Sequence, residues 1–444
     1  MDNTTRYVAK QIEERDIRFL RLWFSDLCGN LKSFAVVASD IEDAFEEGIG
    51  FDGSSVQGVG ATKNGPDLLV VPDANTFQVL PWRPQDNAVA RMFCNIVTPD
   101  GAPSPGDSRY VLRTVMDKAR SMGFVPVVGT EVEYFYFANA QTPEPLDNGN
   151  YFDITLDNAA DLRRDSILTL EQMGVPVVFS MHESDPSQHQ INLHHADALS
   201  AADAIMTSRL VIKQIAADHG VHASFMPKPI NGFEGSGLYV HESLFDIDGN
   251  NVFHNKDDAD GYGLSPIARH YIAGILRHAS EMTLITNQYV NSYKRLQPGF
   301  DAPTHIFWGT RNKNPFIRIP RFKPNKSEAA RIELRAVDAA ANPYLALAVT
   351  IAAGLRGIEE KLEPPEAFED DIFSTNADIL QKKNVFPLPS DLSRAIDAFE
   401  HSALMKEVLG DYMHADILAM KQQEWEQYRN QVTQWEIDRY LPKL

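Results

Sequence analysis

Two glutamates one residue apart, Glu131 and Glu133, sit in TEVEYFY (130–136), a stretch otherwise aromatic and β-branched. That composition predicts a strand, and a strand's period of 2 turns both carboxylates to one face. Further acids and imidazoles recur on segments that read as strands: His182 and Glu183, then His241, then Glu333 in ARIELR. A basic set accompanies them: Arg295, Arg311, Arg318, Arg331 and Arg335. In a strand, Arg331, Glu333 and Arg335 share a face. Hard oxygen donors with an occasional imidazole suit Mg²⁺ or Mn²⁺ better than a structural zinc. Metal carboxylates beside several guanidiniums are what phosphoryl transfer requires. Taken singly these signals are weak. An isolated ExE also describes a solvated strand face, and RxExR a surface ion-pair ladder. The loops DGSS (52–55) and GSG (235–237) are weak alone, and the absence of a Walker A pattern argues against a P-loop enzyme.

The elements that must position these groups fall into two parts. A chain of 444 residues exceeds one ordinary core, so two unequal domains are expected. The strongest punctuation is TPDGAPSPGDSR (98–109), which divides the chain into 1–104 and 105–444. Before it, FLRLWFSD, LKSFAVV and NAVARMFCNIV read as strands, and SDIEDAFEEG as a short helix capped by Ser39 or Asp40. After it, helical and strand segments alternate, and the strands carry alternating apolar residues, which suits a mostly antiparallel sheet. VHASFMPKP (221–229) reads as a strand, and from about 340 the chain is mainly helical. The fold class is α+β. A net charge of −20 argues against a nucleic-acid surface. No apolar run approaches the ~20 residues that span a bilayer, and no signal segment is read at the N-terminus. Two cysteines, Cys28 and Cys94, outside any CxxC pattern suit a reducing, cytoplasmic setting.

These motifs occur together and in one order. FDGSSVQG, EVEYFYF, FMPKPINGFEGSG, NSYKRLQPGFDAP, RNKNPFIRIP, RIELRAVDAAANPYLALA and the closing VTQWEIDRYL resemble bacterial type I glutamine synthetase over essentially the whole chain. The resemblance implies a small N-terminal β-grasp domain, a larger catalytic domain, and a homododecamer of two stacked hexameric rings. Active sites would lie between ring neighbours, one subunit lending its DGSS loop. The implied reaction uses ATP to phosphorylate the γ-carboxylate of glutamate, and ammonia then displaces phosphate. Carried over by position, Glu131, Glu133, Glu183 and Glu333 fall on metal-ligand positions. Arg295 falls on the position that holds the glutamate carboxylate, with Gly235 beside it in the substrate loop. Arg318, Arg331 and Arg335 match phosphate-facing arginines, and His241 and Ser243 match residues near the nucleotide. Asp52 matches the aspartate that binds and deprotonates ammonium.

Several positions depart from the family pattern. Gln190 stands for a metal-binding glutamate and keeps only a neutral carbonyl. Glu234 replaces a substrate-binding asparagine, and Tyr239 a metal-binding histidine; a neutral phenol is a poor ligand. The flap glutamate after PGF is Asp301, one methylene shorter. Lys313 replaces an arginine near the phosphate, and Val178 a glutamate near the nucleotide. Phe373 stands where some members carry the tyrosine that is adenylylated, and the feedback-inhibition arginine of another subgroup has no counterpart. A carboxylate on Glu234 facing the substrate's own would add repulsion on the order of 1–4 kcal/mol. The leading expectation is a ligase joining a glutamate-like acid to a small amine larger than ammonia. The alternatives are glutamine synthetase with an altered metal site and a non-catalytic paralogue with a binding or assembly role.

Overall fold

A computed structural model describes residues 3–60, 67–312, 314–323 and 326–444. The first strands are β1 (Ile17–Ser25), β2 (Leu31–Val37), β3 (Ile49–Phe51), β4 (Leu68–Pro72), β5 (Gln78–Val79) and β6 (Ala88–Val97). They form one sheet in the order β2-β1-β6-β4-β3, with β5 also on β6. Only the β1–β6 pair is parallel. Helices α1 (Asn3–Glu14) and α2 (Ile41–Glu46) pack Val8, Ile41 and Ala44 against Leu20, Leu22 and Met92 of this sheet. The cap expected for α2 does not form. Asp40 stands at the N-cap position without a side-chain bond to the helix, because its carboxylate accepts from Ser39 Oγ at 2.9 Å.

The Pro/Gly-rich segment before α3 (Ser108–Ser121) is an exposed turn anchored by the buried Ser104, Gly106 and Asp107. Asp107 caps α3 through Arg109 N (2.9 Å) and holds Ile96 N at 3.0 Å. Arg109 then ties the two parts together. Buried, it donates to Asp73 (2.8 Å) and Asn95 (2.8 Å) on one side and to Asp203 (2.9 Å) on the other.

The larger sheet contains β7 (Phe124–Phe137), β8 (Val177–His182), β9 (Gln188–Asp197), β10 (His222–Ser224) and β11 (Leu238–Asp246). A two-residue strand β12 (His305–Ile306) lies apart, and β13 (Trp308–Gly309), β14 (Ile317–Arg318) and β15 (Ile332–Leu334) rejoin the sheet. The order is β13-β14-β15-β11-β7-β9-β8, antiparallel except for β13–β14, with β10 on β7. β10 is shorter than its segment suggested, since Pro227 and Pro229 cannot donate to a ladder. Helices α4 (Ala160–Gln172), α5 (Ala198–Asp218), α6 (Pro266–Thr286), α7 (Ser292–Arg295) and α8 (Pro343–Glu360) follow in chain order. The remainder is α9 (Ala377–Lys382), β16 (Phe386–Pro387, paired with β12), α10 (Leu392–Glu400), α11 (Ala403–Arg429) and α12 (Gln434–Tyr440). Among the described residues, no helix is long and apolar enough to cross a membrane.

Helices α6 and α8 meet where a Cβ on Gly274 would lie 2.1 Å from Ala353 O and one on Gly357 2.0 Å from His270 O. The pair clamps the back of β11. Tyr271 of α6 and Thr350 of α8 donate to the two carboxylate oxygens of buried Glu242 at 2.7 and 2.6 Å. Burial pushes this carboxyl up from 4.5 to about 7, although both hydrogen bonds pull it down. A carboxyl raised by folding binds more protons in the native state, so stability falls as pH rises between the two values. Unfolding by denaturant at fixed pH should show wild type losing about 2–3 kcal/mol relative to Glu242→Gln between pH 4.5 and 7. Parallel pH profiles for the two proteins would sink this assignment.

Candidate functional site

Antiparallel register assembles the site on one face of the larger sheet. Glu131 of β7 stands opposite Tyr239 on β11 and Asn192 on β9, and Glu133 stands opposite Gln190. His241 on β11 pairs with Glu333 on β15, which pairs with Arg318 on β14. Directly opposed residues share a face, so Glu131, Glu133, Gln190, Tyr239, His241, Ser243, Arg318 and Glu333 line one surface. The alternate residues Val132, Tyr134, Val240 and Leu334 enter the core behind it.

The carboxylates divide into two groups by how their charge is met. Glu131 Oε1 accepts from His241 Nε2 (2.8 Å) and Oε2 from Gln190 Nε2 (2.9 Å). His241 Nδ1 in turn accepts from Arg331 Nε at 3.2 Å. Buried Glu333 accepts from Arg318 Nε at 2.9 Å and from Arg335 Nη1 at 2.6 Å. Burial would raise its pKa, but the Arg318 bond and the charge of Arg335 outweigh that and hold it low. Arg335 also lies over the Tyr239 ring, 4.7 Å from its centroid.

Glu133 and Glu183 form the second group. Burial pushes Glu133 up to about 7, against the pull of Arg295 and the Gly237 amide. Burial, with Glu133 and Glu131 nearby, pushes Glu183 up to about 9. Glu133 Oε2 accepts from Gly237 N at 2.6 Å, whereas Glu183 Oε1 is buried with no hydrogen-bond partner. Two buried acids with an unmet oxygen form a site short of positive charge. The donor set therefore fits a hard divalent cation at Glu133 and Glu183.

Arg295, on α7, is almost wholly buried and donates to Ala336 O (2.8 Å), Val337 O (3.3 Å) and Arg335 O (3.0 Å). It explains the GSG motif. A Cβ on Gly235 would lie 2.7 Å from Arg295 Cγ, and one on Gly237 would lie 2.5 Å from Arg295 Nη2. Glu234 turns the other way. Its carboxylate accepts from Asp301 N (2.9 Å) and its own amide donates to Asp185 Oδ2 (2.5 Å). Lys228 reinforces this junction by donating to Phe233 O and lying 3.2 Å from the centroid of the Phe300 ring. Glu234 thus fastens the loop that carries Asp301.

Asp52 is not brought to this face. The hydrogen bonds of its carboxylate go to Ser54 N (2.9 Å) and Ser54 Oγ (2.6 Å) in its own turn. Lys313 lies outside the described residues. Arg311 lines a separate cavity of about 710 Å³ with Lys256 and Arg321.

Sequence reasoning singled out His182 but missed the polar layer it belongs to, behind Glu183 and Gln190. His182 Nδ1 donates to Glu183 O at 2.7 Å, and its Nε2 lies 3.1 Å from Asp147 Oδ1. His189 Nδ1 accepts from Arg163 Nη1 at 2.9 Å, and Arg163 pairs with Asp157. Asp147, His182 and His189 are the one group of three or more such residues, among those described, with donor atoms within 4.8 Å of one another. Arg163 already supplies a cation there, so this layer reads as the support of the Glu183 backbone. Asp147, Asp157 and Arg163 come from loops and a helix start with no motif to mark them.

Residues 16–99 match the family model for the glutamine synthetase beta-Grasp domain, and residues 105–440 match that for the glutamine synthetase catalytic domain. The chain belongs to the glutamine synthetase family. It is therefore an ATP-dependent ligase of that family. The glutamine synthetase of Mycolicibacterium smegmatis is 46% identical over 448 residues, covering 99% of this chain and 100% of that protein. That of Methanosarcina mazei is 44% identical, covering 99% and 98%. A solved structure of GmaS without ligand is 31% identical, with a TM-score of 0.87 over 98% of this chain and 99% of that one. A GmaS/ADP complex is 30% identical with a TM-score of 0.88 and the same coverage.

Within this glutamine synthetase fold, the Glu234 contact makes a testable claim. Glu234→Ala removes the acceptor for Asp301 N, so closure of that loop should weaken. A hydrogen bond to a charged acceptor contributes about 1.5–3 kcal/mol, so kcat/KM should fall roughly ten- to a hundredfold, with Glu234→Gln retaining most of it. A rise in affinity for the acid substrate in Glu234→Ala would instead mean that Glu234 repels it.

Proposed function

We propose that this glutamine synthetase family ligase joins glutamate to a small primary amine larger than ammonia, forming a γ-glutamyl amide through an acyl phosphate. The observation that carries the reading is Asp301. The loop bearing it is fastened by Glu234 beside the buried Glu133–Glu183 pair, with a carboxylate one methylene shorter than the family's flap glutamate. A shorter closing carboxylate leaves space for an alkyl group on the attacking nitrogen. The retained acids and arginines argue against a site that has lost its chemistry.

In this reading Arg295 receives the α-carboxylate of glutamate, with Gly235 and Glu234 forming the wall of that pocket. His241, Ser243 and Arg331 face the nucleotide, and Arg318 and Arg335 face the transferring phosphoryl group. Lys313 would add a further cation there. A divalent cation, Mg²⁺ or Mn²⁺, held by Glu133 and Glu183, would neutralise phosphate oxygens during transfer. The γ-carboxylate oxygen attacks the γ-phosphorus of ATP and ADP leaves; the amine nitrogen then attacks the acyl carbon and phosphate leaves. The ammonium form must first lose a proton, and Asp52 of a neighbouring subunit is its acceptor. That role is in keeping with an Asp52 side chain bonded, among the described residues, within its own turn, and with assembly as two hexameric rings. The setting proposed is the cytoplasm.

A second reading, ammonia as the amine, is favoured by the 46% identity to a glutamine synthetase. Phosphate release from ATP over a grid of acids and amines, in Mg²⁺ and in Mn²⁺, separates the two. The expected result is glutamate with a short alkylamine at least tenfold better in kcat/KM than ammonia. Ammonia as the best amine would favour plain glutamine synthetase, and no amine-dependent release would remove the ligase assignment for the native chain. Since one methylene in a pocket changes discrimination by about 1–3 kcal/mol, Asp301→Glu should move the preference toward ammonia by roughly ten- to two-hundredfold.

A further inference from the structure

All four carboxylate oxygens of Glu131 and Glu333 are already bonded to donors of the protein itself. Those donors are His241 and Gln190 on Glu131, and Arg318 and Arg335 on Glu333. Between them stands Tyr239, which brings no imidazole and instead carries the Arg335 guanidinium on its ring face. At the Glu133–Glu183 pair, Glu133 Oε2 accepts from the Gly237 amide at 2.6 Å. Glu183 Oε1 is buried without a partner. Gln190, whose amide nitrogen bonds Glu131 and Asn192 (2.5 Å), has its carbonyl oxygen left to offer beside Glu133.

We infer that each chain binds a single divalent cation at Glu133, Glu183 and Gln190, and that Glu131 and Glu333, whose oxygens are taken by His241, Gln190, Arg318 and Arg335, hold no second ion. The inference rests on the ligase reading only for which site it concerns. It says that a fixed protein cation has taken over one of the charges that this fold class places with metal. A guanidinium is always charged and pairs with carboxylates in a fixed fork, so the Glu131–Glu333 position needs no ion for neutrality. Restoring an imidazole at 239 removes the aromatic face that holds Arg335 and supplies a metal donor in its place.

The test counts ions without turnover. Full-length protein, stripped of metal and free of nucleotide, is titrated with Mn²⁺, and free Mn²⁺ is followed by electron paramagnetic resonance. The expected count is one per chain. Glu183→Gln should weaken it at least tenfold, and Tyr239→His should raise the count to two. A wild-type count of zero, or of two or more, overturns the inference, and so does a single ion indifferent to Glu183→Gln. The last outcome would place the ion elsewhere, with Asp147, His182 and His189 as the first alternative. If Tyr239→His does not fold, the wild-type count and the Glu183→Gln result still decide. One ion with no amide synthesis would sink the proposed function alone, and amide synthesis with two ions would sink this inference alone.

Discussion

The site depends on burying carboxylates of like charge on one sheet face. Register across β15, β11, β7 and β9 leaves Glu131, Glu133 and Glu333 no other face to occupy, because a one-residue slip would send Val132, Tyr134 and Val240 into solvent. The core therefore enforces a charge arrangement that is unfavourable by itself. Around Glu131 and Glu333 the protein meets the conflict with its own donors, Arg318 and Arg335 on Glu333 and His241 and Gln190 on Glu131. At Glu133 and Glu183 it leaves the conflict unresolved, and a site with unmet negative charge is one that selects a cation.

Much of this was legible in the sequence, though unevenly. Helices α3, α4 and α5 follow from apolar spacing, and β7 from its aromatic and β-branched composition. β9 was hidden because QHQINLHHAD has few apolar residues; Gln188, His189 and Gln190 are nonetheless buried. Their burial depends on partners such as Arg163 and Glu131, which lie far off in sequence. The shared face of Arg331, Glu333 and Arg335 could be read from period alone. What they bond to could not, since Arg318 and Tyr239 arrive on other strands. The direction in which Glu234 points was equally out of reach, because it is set by a contact between two loops 67 residues apart.

The departures from the family pattern are coupled in space. Tyr239 accommodates Arg335, which meets Glu333, while Gln190 joins Glu131 to the Glu133 side of the site. Glu234 and Asp301 form a second set, joined by one hydrogen bond. Each set is joined by its own contacts, as expected of a working arrangement rather than of scattered decay. The supporting layer behind the sheet fits the same view, with His182 holding the carbonyl of Glu183 from the core side.

Arg295 carries a consequence of a different kind. A free arginine side chain gives up about 2 kcal/mol of rotamer entropy when a ligand immobilises it. Here three backbone carbonyls and two close-packed glycines have already immobilised the guanidinium during folding. In the proposed reading, an arriving carboxylate would meet a cation that has no freedom left to lose. Recognition at that end would then be rigid and stereochemically exacting, and adaptability would fall to the opposite end, where the proposed amine enters.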